Sequence, residues 1–570
     1  MMVHQKVTAF SFTLLFLCLF VLSCNDAATN EKGEKIVADP EQIDKAVRNS
    51  IEQLMGIAVE KKGNIDDSST LKLLAIVSSF YQGVDFENQW SKKEKWLPLA
   101  DSLVQFIRQS EVYGLFPKDY HAAGLDSLKQ QLDRDSVKRM DAVSWAKADV
   151  LLTDACITII KDLKFGRLFY DSSALSNDTT RIAQTLIGSM KQLLLKPSLL
   201  SFMNSLEPGH RGYAALKSGI RYFLDSMDRR TYTYVVYPYK KNDVKDSLFF
   251  IKTLQKRLAE SNCINFTNKL PDSTQLDQSI RNYQKLKGVK ADGKLSSSLV
   301  KLLNASDAER FKRIAITLDR YKKLPDSMPQ KFIWVNLPGY YLQLWDSDTI
   351  ALESKIICGK TSTPTPLLNS AISDMITYPT WTVPTSIISK QYLPKLKNNP
   401  NYLSRLGLRL VNEKGESVSA STVNWGKYTK GIPYKVMQNS GDNNALGVIK
   451  FNFSNPHAVY LHDTNQRYLF KNASRAFSHG CVRVQEWEKL AMYIARNDSM
   501  NLRPGDTLRY TTDSIRNWLA EKKHKRITVK NRLPLYITYF SCEGKDGKIK
   551  FYEDIYGDDK AMREKYFSNK

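Results

Sequence analysis

Cysteine is sparse in this 570-residue chain, and no two cysteines stand at the close spacing of a metal-binding or redox pair. Of the seven, Cys18 and Cys24 fall near the N-terminus, which leaves Cys156, Cys263, Cys358, Cys481 and Cys542. Wide, irregular intervals exclude a disulfide framework, and an odd number leaves at least one thiol free. Acidic residues are also short, with 59 Asp+Glu against 83 Lys+Arg and a net charge of +24. Internal repeats and extended low-complexity tracts are missing, so the chain is no repeat array. What is abundant is core-forming material: 42% hydrophobic residues, 11% aromatic, with 28 Tyr and 9 Trp. That composition excludes wholesale disorder, and the length calls for roughly three or four domains, because single cores stop growing well below this size.

The first thirty residues, "MMVHQKVTAFSFTLLFLCLFVLSCNDAATN", carry Lys6 and then an apolar run at 9–22 that is too short to span a bilayer comfortably. This pattern reads as a secretory signal. Val21-Leu22-Ser23-Cys24 resembles the bacterial lipobox, which implies lipidation at Cys24, removal of 1–23, and delivery to the cell envelope on a lipid anchor. Ordinary cleavage near Ala27-Ala28 and an uncleaved anchor are the alternatives. Residues 24–44 are polar and aperiodic, as a tether would be. Export bears on the charge as well: nucleic acid is an unsuitable partner outside the cytoplasm, and no nucleic-acid motif accompanies the lysines. Anionic wall polymer or membrane headgroups fit the basic surface better, and plain solubility is the simpler alternative.

The coarse pattern is that of a multidomain α+β chain. Residues 45–240 read as a helical domain, with apolar positions such as Leu152, Ala155, Ile159 and Leu163 on one helix face. His121 and His210 fall in its turns and read as turn or surface residues. Residues 245–305 place Ile251, Leu254 and Leu258, then Ile280, Tyr283 and Leu286, then Leu295, Leu299 and Leu302 at helical spacing around an Asp292-Gly293 turn. That predicts a compact three-helix unit. From about 330 to 512 the period shifts to mostly antiparallel β-structure, with a hairpin turn at Asp346-Ser347-Asp348. A polar stretch over 389–435, containing Trp425, interrupts the strands and reads as a lid over a site. Residues 513–570 are expected to pack on this domain as an extension.

One stretch concentrates the chemistry. In "AFSHGCVRV", at 476–484, Val482 and Val484 alternate as in a strand, so Cys481 and Arg483 share the other face. In "AVYLHDT" Val459 and Leu461 turn inward, leaving Tyr460 and His462 together; Asp463 points away and is not a triad member. A neutral thiol needs a neighbouring imidazole to become a nucleophile, and His462 or His479 meets that need. Gly480 allows close backbone approach, and the amides around it are oxyanion-hole candidates. Arg483 is suited to a substrate carboxylate. Three alternatives stand beside this reading: an inert buried thiol, a zinc site built from His457, His462, His479 and Cys481, and an Arg483 that only makes a surface ion pair.

His462 followed by Ser478-His479-Gly480-Cys481 resembles the signature of the L,D-transpeptidases. The likeness extends through "VNLPGYYL", "TYPTWTVPTSI", "NALGVIKFNF" and the C-terminal "LPLYITYFSCEGKDGKIKFYEDIYG" to their large periplasmic branch, in which Arg commonly stands at the place of Arg483. The three-helix unit resembles the peptidoglycan-binding domain of wall enzymes, and a helical spacer that binds nothing is its alternative. The resemblance implies that Cys481 attacks a peptidoglycan stem tetrapeptide and that His462 acts as base and then acid. It further implies that amides near Gly480 and Cys481 hold the oxyanion, and that Tyr460, Ser478, His479, Arg483 and Trp425 contact substrate. It also implies a 3-3 cross-link made through a thioester, no metal or organic cofactor, and acylation of the same cysteine by carbapenem-type β-lactams. Hydrolysis of the stem, attachment of a protein to murein, and a non-catalytic wall-binding scaffold are the competing outcomes.

Overall fold

The computed structural model describes residues 35–168, 179–195, 198–237, 244–429, 431–502, 505, 507–508 and 510–567. The expected export signal and Cys24 lie outside the described residues, and among the described residues no helix is long and apolar enough to cross a membrane. The chain divides into two compact units. One comprises Met1–Arg108, Pro117–Ile159 and Ala183–Leu199; the other comprises Gln109–Phe116, Ile160–Ile182 and Leu200–Lys570.

The first unit is helical, with elements such as Ile43–Glu60, Leu74–Gln82 and Ala122–Arg134. Two buried carboxylates fasten its loops. Asp149 accepts from the backbone N–H of Gln89 and Trp90 and from the Tyr81 hydroxyl, and burial pushes its acid up to about 7. Asp154 accepts from the N–H of Lys72 and Leu73 and meets His121 Nε2 at 2.7 Å. His121 is thus no surface residue: it pairs with a carboxylate that has no solvent exposure.

Within the helical region expected over 45–240, the Arg211–Ser226 helix falls in the second unit. Its Tyr213, Leu216 and Ile220 pack with Phe311, Ile314 and Leu318 of the Asp307–Tyr321 helix and with Phe540 and Cys542. His210, just before it, is half-buried against Tyr321 and Trp334 and also departs from the surface reading. The three-helix unit is present as Val244–Ala259, Ser273–Leu286 and Ser297–Leu303. Leu254, Leu258, Ile280, Tyr283 and Leu299 form its core as the spacing predicts, while the last helix buries Leu303 more fully than Leu302. Gln284 closes the turn, accepting from Gly293 N–H and donating to Asp292.

The site rests on a ten-stranded sheet. Its strands are β1 Lys331–Asn336, β2 Tyr341–Asp346, β3 Thr349–Gly359, β4 Leu368–Thr377, β5 Ile449–Phe453, β6 Leu461–His462, β7 Ala476–Ser478, β8 Val482–Val484, β9 Lys525–Thr528 and β10 Pro534–Thr538. Neighbours run β5-β6-β8-β3-β2-β1-β10-β4-β9, with β7 on β3, and β5 also pairs β4, so the path returns on itself. Most pairs are antiparallel, but β6 with β8, β7 with β3 and β10 with β1 are parallel. Ile333, Val335, Leu342, Ile356, Phe451, Leu461, Val482 and Val484 line the enclosed core.

Two expectations are corrected here. Residues 513–570 are no extension laid on the domain, since β10 sits inside the sheet between β1 and β4 and β9 pairs β4. Its run "PLYIT" is apolar on both faces, which is the pattern of an interior strand. The polar lid is a small folded body. Strands Trp381–Thr382, Lys435–Gln438, Leu408–Val411 and Ser417–Val418 form one sheet, and Val383, Ile387, Leu396, Leu410, Trp425 and Val436 make a core of its own.

Behind β10 the strands β11 Cys542–Lys545 and β12 Lys548–Phe551 form a hairpin against the Arg211–Ser226 helix. The approach is close enough that a Cβ on Gly544 would overlap the Ala215 carbonyl. Gly544→Ala is expected to lower the stability of the second unit by roughly 1–3 kcal/mol through overpacking, read as a fall in the denaturant midpoint at unchanged slope.

Candidate active site

Parallel pairing of β6 with β8 sets Leu461 opposite Val482 and His462 opposite Arg483, and Val482 N–H donates to the Tyr460 carbonyl at 3.1 Å. Tyr460 therefore arrives beside Cys481. On the other side of β6, β5 sets Lys450 opposite His462. The valines and Leu461 go to the core as the alternation requires, so Lys450, Tyr460, His462, Cys481 and Arg483 collect on one face of three adjacent strands.

The electrostatics are those of a dry, positively biased site. His462 is buried, and that burial, reinforced by the Arg483 and Lys450 charges, lowers its pKa to about 3; hydrogen bonds with the backbone of Asp463 and Leu446 oppose the shift. The imidazole is accordingly neutral at neutral pH, and its Nδ1 is enclosed without a hydrogen-bond partner among the described residues. Burial also pushes the Cys481 thiol up, while backbone and hydroxyl hydrogen bonds from Tyr460 and the charges of Lys450 and Arg483 pull it down. At neutral pH both groups are therefore uncharged, Cys481 as thiol and His462 as imidazole. Burial drives the enclosed Cys358 and Cys542 to about 11 and about 12, although Arg475 acts on the first and Arg313 and Arg320 on the second. All five described cysteines are free.

Around the nucleophile, Gly480 has φ +121°, a conformation that favours glycine. Its N–H is not open to an oxyanion, because it donates to Ser478 Oγ at 3.2 Å. Ser478 Oγ in turn donates to the Cys481 carbonyl at 2.6 Å, and the Ser478 carbonyl accepts from Lys360 N–H and Thr363 Oγ1. Ser478 is buried and braces the turn; it does not present itself to a ligand. Among the described residues no group accepts from the Cys481 N–H. His479 reaches the lid, its Nε2 lying 2.6 Å from Gln391 Nε2, so the ring nitrogen is the acceptor and the Gln391 amide the donor. Arg483 Nη1 donates to Gln466 Oε1 at 3.0 Å, and Arg483 Nε is enclosed without a partner among the described residues. This guanidinium is half-buried and, among the described residues, makes no ion pair of the kind weighed above.

Trp425 departs from its expected role. It is 4% exposed in the lid core, and its indole N–H donates to the Ala420 carbonyl at 2.8 Å, so it shapes the lid from within. The lid indole that reaches the site is Trp381, which hydrogen bonds to the Tyr460 hydroxyl. Asp463 points away from the site, as expected. It accepts from Val448 N–H at 3.1 Å and pairs with Arg467 at 2.5 Å, and a Cβ on Gly447 would overlap its carboxylate. The loop that carries Leu446 to His462 is thereby clamped. His457 is exposed, and among the described residues no group of three or more His, Cys, Asp or Glu converges on a metal position. Lys450, Trp381, Gln391 and Gln466 were not singled out from the sequence. Only Lys450 carried a signal, since Ile449, Phe451 and Phe453 alternate inward and put it on the face of His462.

Comparison with known proteins gives two family matches: residues 75–219 to a scaffold domain and residues 330–504 to an L,D-transpeptidase catalytic domain. A Haemophilus influenzae protein that bears a provisional L,D-transpeptidase name is 32% identical over 250 residues, covering 44% of this chain and 48% of the relative. The chain thus spans about half the length of the curated relative it matches. Among solved structures, an ertapenem-acylated catalytic domain of an E. faecium L,D-transpeptidase is 13% identical with a TM-score of 0.16, over 37% of this chain and 99% of that one. An L,D-transpeptidase from Mycobacterium smegmatis is 10% identical with a TM-score of 0.17, over 37% and 58%.

The depressed His462 pKa has a stability consequence with a definite sign. The unfolded chain binds a proton at this residue below pH 6.5 that the folded chain refuses until about pH 3, so stability falls as pH drops through that window. Chemical denaturation of the second unit should lose about 2 kcal/mol from this residue between pH 6.5 and pH 5. His462→Gln should flatten that part of the slope, and an identical pH dependence in the variant would contradict the burial of a neutral imidazole.

Proposed function

We propose, since residues 330–504 match the L,D-transpeptidase catalytic domain and part of the chain is 32% identical to a relative that bears that name, that it cleaves and re-forms amide bonds of peptidoglycan stem peptides by way of a Cys481 thioester. The observation that carries this reading is the neutral His462, its Nδ1 unfilled, on the strand paired in register with that of Cys481.

In the acylation step Cys481 Sγ forms a bond to the carbonyl carbon of the third stem residue as the thiol proton passes to His462. The carbonyl electron pair moves to oxygen, where the Cys481 N–H supplies a hydrogen bond. Collapse of this adduct breaks the C–N bond, and His462 returns its proton to the departing D-alanine amine. In the second step an acceptor amine attacks the thioester carbonyl and gives its proton to His462. The sulfur leaves, recovers that proton, and a 3-3 cross-link remains. The thioester conserves the energy of the cleaved amide, so no nucleotide is needed. Arg483 Nε is the group we assign to a substrate carboxylate, with Gln466 holding the other end of the guanidinium. Carbapenem-type β-lactams, as strained amides, should acylate the same sulfur.

We further propose that the chain is exported and anchored through a lipidated Cys24, and that the three-helix unit at 245–305 holds the wall polymer.

Incubation of the full chain with tetrapeptide-containing muropeptides tests the reading. D-alanine release and cross-linked dimers are expected by mass spectrometry, both falling at least a thousandfold in Cys481→Ala, on the order of the loss of a nucleophile. Stem hydrolysis without dimers would assign the chain to L,D-carboxypeptidase chemistry. A folded wild-type chain with a reactive thiol and no D-alanine release would overturn the proposal.

A further inference from the structure

Lys450 is the one charged residue of the cluster that the steps above leave unused. Its ammonium lies 3.9 Å from the centre of the Tyr460 ring, in half-buried surroundings, and among the described residues it makes no hydrogen bond or ion pair. The nearest carboxylate with an electrostatic claim on it, Asp374 on β4, is already engaged by Arg526 at 3.3 Å and by Asn452 at 2.7 Å. A partly desolvated cation without a counter-ion is costly, and an ordinary structural lysine would extend its tip to water or to an acid. This one instead lies over the phenol ring that contacts the nucleophile.

Tyr460 sits between four groups. Lys450 lies against its ring, the His462 ring meets it edge-on at 5.5 Å, Trp381 donates to its hydroxyl, and that hydroxyl donates to Cys481. A cation over an aromatic ring withdraws electron density, which makes the phenol a stronger donor. An indole donating to the same oxygen acts in the same direction through hydrogen-bond cooperativity. Both effects fall on the O–H that faces the sulfur.

We propose that Lys450 is a positioning residue for the nucleophile: acting through Tyr460, and by its own field, it stabilises negative charge on Cys481 sulfur and on the adduct that follows. The other charged and titratable groups facing this centre are His462 on β6, Arg483 on β8, and Asp374 and Arg526 on β4 and β9. Of these, Arg483 favours the same charge, and the Asp374–Arg526 pair is close to neutral. The role rests on the assignment of Cys481 as nucleophile and is independent of the acceptor used.

The test reads thiol acidity directly and needs no peptidoglycan. The full chain is alkylated with iodoacetamide from pH 5 to pH 10, and modification of Cys481 is followed by peptide mass spectrometry, with folding checked by thermal melting. Lys450→Met and Lys450→Gln are expected to raise the alkylation midpoint by about one pH unit, about a tenfold slower reaction below it, whereas Lys450→Arg keeps it near wild type. In a Tyr460→Phe background the effect of Lys450→Met should shrink to less than half, which a purely structural lysine would not produce. Superimposable alkylation curves for wild type and folded neutral variants would overturn the proposal, and so would failure of both neutral variants to fold, which would assign Lys450 to stability alone. A shifted titration without muropeptide products would sink the proposed reaction and leave the role of Lys450 standing; products with an unshifted titration would do the reverse.

Discussion

Everything in the site follows from two short parallel strands. Leu461 and Val482 are core residues, and their burial side by side fixes the register of β6 against β8. Because side chains alternate along a strand, that register commits Tyr460, His462, Cys481 and Arg483 to the opposite face with no further instruction. A slip of one residue would bury the imidazole among the core leucines and turn the leucine to the site. The chemistry is therefore specified by apolar packing on the hidden side of the sheet.

The second organising fact is an imbalance of charge. Lys450 and Arg483 are both removed from much of their water, neither makes an ion pair among the described residues, and the nearby thiol and imidazole are neutral. An environment of this kind resists forming a further cation on His462, and its two charges offset part of the burial that raises the Cys481 thiol. It also favours whatever carboxylate a ligand brings. The lid is wired into the same centre at two points, Trp381 on Tyr460 and Gln391 on His479. Lid geometry and nucleophile environment are thus coupled through hydrogen bonds.

Much of this was legible in the sequence, because local alternation carries it. The faces of "AVYLHDT" and "CVRV", the three-helix unit and the hairpin at Ser347 all follow from periodicity and turn chemistry. What escaped depends on long-range pairing. The strand Pro534–Thr538 reads as apolar from its sequence, but its insertion between β1 and β4 is a topological fact that no local pattern encodes. Trp425 was misassigned for a related reason: a tryptophan in a polar segment attracts a binding role until its neighbours Val383, Leu396 and Val436 are seen to form a core around it. Ser478 and the Gly480 amide were assigned to a ligand, yet they satisfy each other, a local hydrogen bond that composition does not announce. The partners of His121 and His210 are likewise distant in sequence.

The place of β10 governs timing. A chain that is made, or threaded through a pore, from its N-terminus onward holds β1 to β9 before residue 538 emerges, yet the ring of strands has a gap between β1 and β4 until then. The ring therefore closes only when one of the later strands of the chain enters it, and the core that the ring encloses stays open along that seam until then.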